Sequence, residues 1–372
     1  MQEVGNAAEH SGYYYKVSDA LTIMICGMLC NLQNISDIHE WSQAEPVKQF
    51  LLEQFQIRKI PSREQFYNLL SCVEASKFNM AFIKWMQYVL QDDMVGKTIA
   101  IDGKTICSTG KLTNDNNPLH IASAIISDNN LVIGSLPCET KISEPEAFRE
   151  LIKMLDVNGA IVVADALHCR RKSAKTVVDE GGDYLFVVKD NTPVLKENIE
   201  LFVQSESMEE QTKTEKNAGR FEKRTAYVSK DIEWLEGKEK WADLHTIGAI
   251  HTEFEKDKKK TSEWHYYISS AELTADELLK HAHLEWSVES MHWLLDVYFA
   301  EDKTMVWDMN VQQILNIMRK IALNLAREYK TQQLHKSSIS GILKRNLFDI
   351  NNLAVFLRFF FAFINVTALL PN

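Results

Sequence analysis

The chain has 372 residues, 45% of them hydrophobic, which is enough for a large core and more than one typical domain. Its formal charge of -10 and pI near 5.6 exclude a protein that coats nucleic acid by bulk charge, while a local basic surface stays compatible with them. Six scattered cysteines, without C-x-x-C pairing or zinc-like spacing, exclude a disulfide framework and point to reduced thiols in the cytoplasm.

The N-terminus carries Glu3, Glu9 and Asp19 before its first apolar run, so no export signal is expected. From Asp19 to about Asp92 apolar residues recur at three and four positions, which predicts an all-helical domain over residues 1–95. Cys26 and Cys30 share one helix face there, as small buried residues do. In "IPSREQFYNLL", Ser62 and Gln65 have the spacing of a capping box.

After the polar break "DMVGK" the character changes, and residues 96–350 read as a mixed α/β domain. "TIAIDGK", "HIASAIIS" and "LVIGSLPC" predict three strands, the last two joined by a hairpin at "DNN". A helix follows over 144–155, then a strand "GAIVVADAL" ending at Asp165. A second helix stops at Gly181 and Gly182, and "YLFVVKDN" is a fifth strand. In such a mixed sheet the first and fourth strands can lie side by side, which brings Asp102 and Asp165 to one edge.

Residues 205–272 turn β-rich and charged. The lysines at 256, 258, 259 and 260 predict a solvated hairpin tip. The strand carrying Arg220, Lys223 and Arg224 is the better phosphate-binding candidate, because a rigid strand fixes charge at less entropic cost than a loop. From Asp276 one long helix is expected through "ELLKHAHLEWSVESMHWLLDVYF". On it Glu289, His292, Trp293 and Asp296 recur on one face, and Trp286 and Trp293 have the spacing of a buried stripe. The apolar tail 351–372 is interrupted by Arg358 and Asn365, which predicts a buried or partner-covered helix rather than a membrane span.

Asp-Gly after a strand is an ordinary turn signal, so Asp102 alone reads first as a turn residue closing the strand, with a metal ligand as the alternative. If the late helix packs at the edge shared by Asp102 and Asp165, Glu289 joins them. Three clustered carboxylates raise one another's pKa, a cost that divalent cations remove.

The blocks "IAIDGKT", "IVVADALH" followed by "GGDYLFVVKDN", "GRFEKR", and "WSVESMHWLLDVYFAED" followed by "ALNLAR" resemble the DDE transposases of bacterial insertion sequences. Within these they are similar to the H-repeat-associated proteins found near Rhs elements. The resemblance spans about residues 15 to 350. It implies an RNase H-like core with a β-rich insertion before the last catalytic helix, and an N-terminal transposase-associated domain. It implies a catalytic and metal-binding triad of Asp102, Asp165 and Glu289 holding two Mg2+ ions, or Mn2+, with Asp102 bridging both. Lys104, Lys189, Arg220, Lys223, Arg224 and His292 are the candidate DNA contacts, with two alternatives beside them: Lys104 could merely offset the carboxylates, and His292 could orient a carboxylate or be a packed imidazole. The expected partners are double-stranded DNA at element ends and target, and further copies of the chain on that DNA, with no membrane.

The chain departs from the family pattern at Ile106 and Cys107, at Arg170, at His283 and Glu285, and at Ser290. Glu285, one turn before Glu289, puts a negative charge where the pattern has an Arg-x-His. The leading expectation is a transposase that cleaves DNA and transfers strands. The alternatives are a decayed or repurposed remnant that binds DNA or a protein partner, and a single-step nuclease on the same core.

Overall fold

The computed structural model describes residues 15–90, 94–110, 118–138, 143–205, 208–217, 220–256, 259–303, 305–333 and 337–358. Five helices open the chain: α1 (Val17–Leu29), α2 (Ile35–Ser42), α3 (Glu45–Phe55), α4 (Arg63–Ser71) and α5 (Ala75–Leu90). The capping box forms, with the Ser62 hydroxyl accepting from the Gln65 backbone and the Gln65 amide oxygen accepting from Ser62 N–H. Cys26 and Cys30 are buried in the core, and all six cysteines are free thiols.

Eight strands share a sheet with β1 (Thr98–Ile106): β2 (Leu119–Ile126), β3 (Leu131–Cys138), β4 (Ile161–Ala164), β5 (Asp183–Val188), β6 (Glu209–Asn217), β7 (Arg220–Ser229), β8 (Thr246–Lys256) and β9 (Lys259–Ser269). Their order is β3-β2-β1-β4-β5-β9-β8-β7-β6. β1 to β3 run antiparallel, while β4 and β5 run parallel to β1, so the first and fourth strands are neighbours as expected. Between strands lie α6 (Glu144–Met154), α7 (Arg171–Asp179) and α8 (Pro193–Ser205). Gly181, at φ +80, turns the chain out of α7 in a conformation that other residues rarely adopt. This arrangement of the first five strands is the RNase H-like core that the resemblance implies.

The β-rich segment does not stand apart: β9 pairs with β5 and extends the same sheet. Its outermost strand β6 and helix α8 had no sequence assignment. The long late helix is in fact two, α9 (Ala275–Glu285) and α10 (Ser287–Phe299), breaking at Trp286. α11 (Met309–Thr331) then packs against α1, α4 and α5, so one hydrophobic core runs from the N-terminal helices into the sheet. α12 (Ile339–Phe348) is followed by a helical stretch at 350–358, in which Leu353 and Phe356 are buried. The remainder of the predicted tail lies outside the described residues, as do Glu3, Glu9 and the centre of the lysine-rich tip. Among the described residues no helix is long and apolar enough to cross a membrane.

Candidate active site

β1 passes through Asp102 and Gly103 without turning and continues to Ile106. The turn reading of "DGK" is therefore wrong, and the glycine has another cause: a Cβ at position 103 would lie 2.3 Å from the Glu144 carboxyl group. Asp102 thus projects from mid-strand, while Asp165 stands one residue beyond the end of β4. Leu167 N–H donates to Asp165 Oδ1 at 3.0 Å, fixing that carboxylate in the turn.

Asp102, Asp165, Glu285 and Glu289 line one cavity of about 320 Å³, together with Lys189 and Arg224. The late helices do pack over the sheet edge, which brings the three expected carboxylates and Glu285 to the same space. Burial pushes the Asp102 carboxyl up to about 6; Asp165 and Glu144 add to this while the Gly103 backbone N–H opposes it. Burial likewise raises Glu285 to about 7, reinforced by Asp165, Asp102 and Glu289 and opposed by Lys189. Among the described residues no group of three or more His, Cys, Asp or Glu side chains is arranged to hold a metal ion as it stands. The oxygen donors of the cavity nonetheless suit a hard divalent cation that keeps part of its water shell.

The expected DNA contacts fare differently. Lys189 is exposed at the cavity, just past β5. Arg224 lies on the cavity wall, but its guanidinium already bonds Glu222 and His283 Nδ1, and it stacks over the Trp286 ring at 5.2 Å. Lys223 is on the opposite face of the strand, paired with Glu253 at 3.2 Å. Arg220 opens β7, and its side chain lies outside the described part of the structure. Lys104 donates to Asp296 and, at 2.9 Å, to Glu301, so its ammonium offsets half-buried Asp296 and buried Glu301 rather than facing the cavity. Those two acids outweigh the lowering effect of burial and hold the Lys104 pKa above its usual value.

His292 Nδ1 stands 3.7 Å from Asp102 Oδ2. Burial, with Lys104 and Lys320 nearby, lowers its pKa to about 3, so the ring is neutral and packs beside the aspartate. Trp286 and Trp293 are not core residues: they are 46% and 57% exposed. Trp286 stands at the break between α9 and α10, where it lines the cavity beneath Arg224, and Trp293 faces outward because His292, Leu295 and Asp296 occupy the inner side of α10.

Behind the aspartates lies a cluster that the sequence reading missed. Glu144, at the start of α6, is 2% exposed and accepts from His120 Nε2 at 2.5 Å and His168 Nε2 at 3.0 Å. Burial would raise its pKa, but the two histidine hydrogen bonds outweigh that and hold it at about 2. Thr105 Oγ1 lies 2.7 Å from His120 Nδ1, and the His168 ring stacks on Phe148 at 4.6 Å. The available signal was His120, a titratable residue inside the mostly apolar run "LHIASAII".

The family described as "Transposase DDE domain" matches residues 95–325, and one described as "DDE_Tnp_1-associated" matches residues 2–86. The chain is 29% identical over 355 residues to the H repeat-associated protein YhhI of Escherichia coli (strain K12), which carries a transposase name; the match covers 91% of this chain and 92% of that one. It is 33% identical over 188 residues to the H repeat-associated YbfD of the same organism, covering 50% of this chain and 73% of that one. Among solved structures, the piggyBac transposase synaptic complex with hairpin DNA aligns at TM-score 0.48 and 11% identity, over 98% of this chain and 79% of that one.

Proposed function

The chain belongs to the transposases with a DDE domain, and we propose that it cuts DNA at the ends of an insertion sequence and joins the freed 3'-hydroxyl to target DNA. The observation that carries this reading is the convergence of Asp102, Asp165 and Glu289, from β1, the end of β4 and α10, on one cavity. These three carboxylates would hold divalent cations, Mg2+ or Mn2+. Such cations, when bound, help to activate the attacking oxygen and to stabilise the leaving oxygen of a phosphodiester.

The remaining residues bind and orient. Lys189 offers an exposed ammonium at the cavity rim for a DNA phosphate, and Arg224 a guanidinium held in place by Glu222 and His283. Neutral His292 packs against Asp102 and limits its rotation. Double-stranded DNA is the partner this surface serves, bound by more than one copy of the chain because two element ends must be paired. A second reading, a remnant that binds DNA or protein without cutting, draws on Glu285, a fourth acid in the cavity where phosphate must enter.

The test is incubation of the chain and Mg2+ with DNA carrying the inverted repeats that flank its coding region. Wild type is expected to nick at the repeat ends and Asp165→Asn to leave them intact. A folded wild type inert on such DNA, or a coding region without flanking repeats, would favour the remnant.

A further inference from the structure

The pairing between β1 and β4 ends at Ile101 and Ala164, one residue before each aspartate. Beyond that point β1 pairs only with β2, and the chain after β4 leaves through a turn. Hydrogen bonds of the ladder therefore do not set the distance between Asp102 and Asp165. Glu144 fills the place where they stop. On one side its carboxylate rests against Gly103, at a point where even a methyl group would clash, and His120 holds it to β2. On the other side it accepts from His168, whose backbone N–H donates to the Asp165 carbonyl at 3.1 Å and whose ring lies 4.0 Å from the Asp165 carboxylate.

An ionised carboxylate only accepts, so both imidazoles present Nε2–H to it, and the Thr105 hydroxyl donates to His120 Nδ1. We propose that Glu144, clamped between His120 and His168, is a positioning residue that fixes the separation of Asp102 and Asp165 for cation binding. This inference rests on the triad assigned above. The residue touches neither DNA nor cation; it acts through the backbone of β1 and the turn that carries Asp165.

The experiment uses the full chain, with Mn2+ binding followed by electron paramagnetic resonance and backbone order by amide hydrogen exchange. Glu144→Gln keeps the volume but turns one acceptor oxygen into a donor facing an N–H. It is expected to weaken Mn2+ binding about 10- to 100-fold and to speed exchange at residues 103–105 and 165–169, leaving α1 to α5 unchanged. His168→Gln retains a donor toward Glu144 and His168→Leu does not. The first should bind Mn2+ like wild type and the second like Glu144→Gln, a split that loss of packing alone would not produce. This pair also decides the matter if Glu144→Gln does not fold. Equal losses in the two His168 variants, or wild-type affinity in His168→Leu, overturn the proposal. Wild type that binds no Mn2+ would refute the triad instead; exchange at 165–169 in His168→Leu matching wild type would overturn the clamp in either case.

Discussion

Gly103→Ala provides a quantitative test of how closely Glu144 is seated under β1. The new Cβ would stand 2.3 Å from two atoms of the Glu144 carboxyl group and 2.5 Å from the third. Restoring an ordinary contact needs a displacement of more than about 1 Å, which takes the carboxylate out of the geometry in which it accepts from both His120 and His168. Losing two hydrogen bonds to a charged group costs about 1.5–3 kcal/mol each, so Gly103→Ala should destabilise the chain by about 3–6 kcal/mol. In a Glu144→Ala background the same methyl group enters vacated space, and its cost should fall below about 1 kcal/mol. The assay is urea unfolding of wild type, both single variants and the double variant, read as midpoint shifts at unchanged slope. The predicted coupling is at least about 2 kcal/mol. If Gly103→Ala costs the same with and without the Glu144 carboxylate, the seating described for this residue is wrong.

Lys104→Met should lose about 1–3 kcal/mol of stability, because it takes the ammonium away from buried Glu301, which keeps its bond from Asn316, while the salt dependence of DNA binding stays unchanged; a reduced salt slope would restore a phosphate role. Without divalent cations, Glu285 and Asp102 keep protons that the unfolded chain has already released between their usual pKa values of 4.5 and 3.8 and their raised values of about 7 and 6. The folded state then binds more protons than the unfolded one, so stability should fall as pH rises through this window and level off above pH 7. For Glu285 the shift corresponds to roughly 3 kcal/mol, and Glu285→Gln should remove most of the slope in melting temperature against pH; an unaltered slope would contradict its burial. Mg2+ or Mn2+ should raise the melting temperature of wild type and do so far less in Asp165→Asn. A full shift surviving in the Asp102→Asn, Asp165→Asn double variant would put the ion elsewhere.

The five core strands were legible as apolar runs, although β1 continues past the Asp-Gly that reads as its end; the antiparallel β2–β3 hairpin and the helices before β4 and β5 account for their order. β6 was not legible: "EEQTKTEKN" is an edge strand, and charged residues that deter further pairing also erase the apolar alternation. The break at Trp286 has no Gly or Pro to announce it. Helical spacing placed Trp286 and Trp293 on a stripe but could not tell which side of the helix faces the sheet. Lys104 was read from its position two residues past Asp102; its actual partners come from nearly 200 residues downstream, at Asp296 and Glu301, where sequence spacing gives no guide. The meeting of Asp102, Asp165 and Glu289 in one cavity was expected from family motifs, whereas the Glu144 clamp depends on long-range contacts that local patterns do not encode.

Glu285 and Glu289 both line the cavity, so the most direct test of the triad is to neutralise each separately and measure Mg2+-dependent cleavage of element-end DNA at matched salt. Glu289→Gln should abolish cleavage while leaving DNA binding in place, because it removes a cation ligand. Glu285→Gln and Glu285→His should both keep cleavage and bind DNA more tightly, because a repulsive charge near phosphate is gone. Cleavage that survives in Glu289→Gln and disappears in Glu285→Gln would contradict the assignment of the third carboxylate.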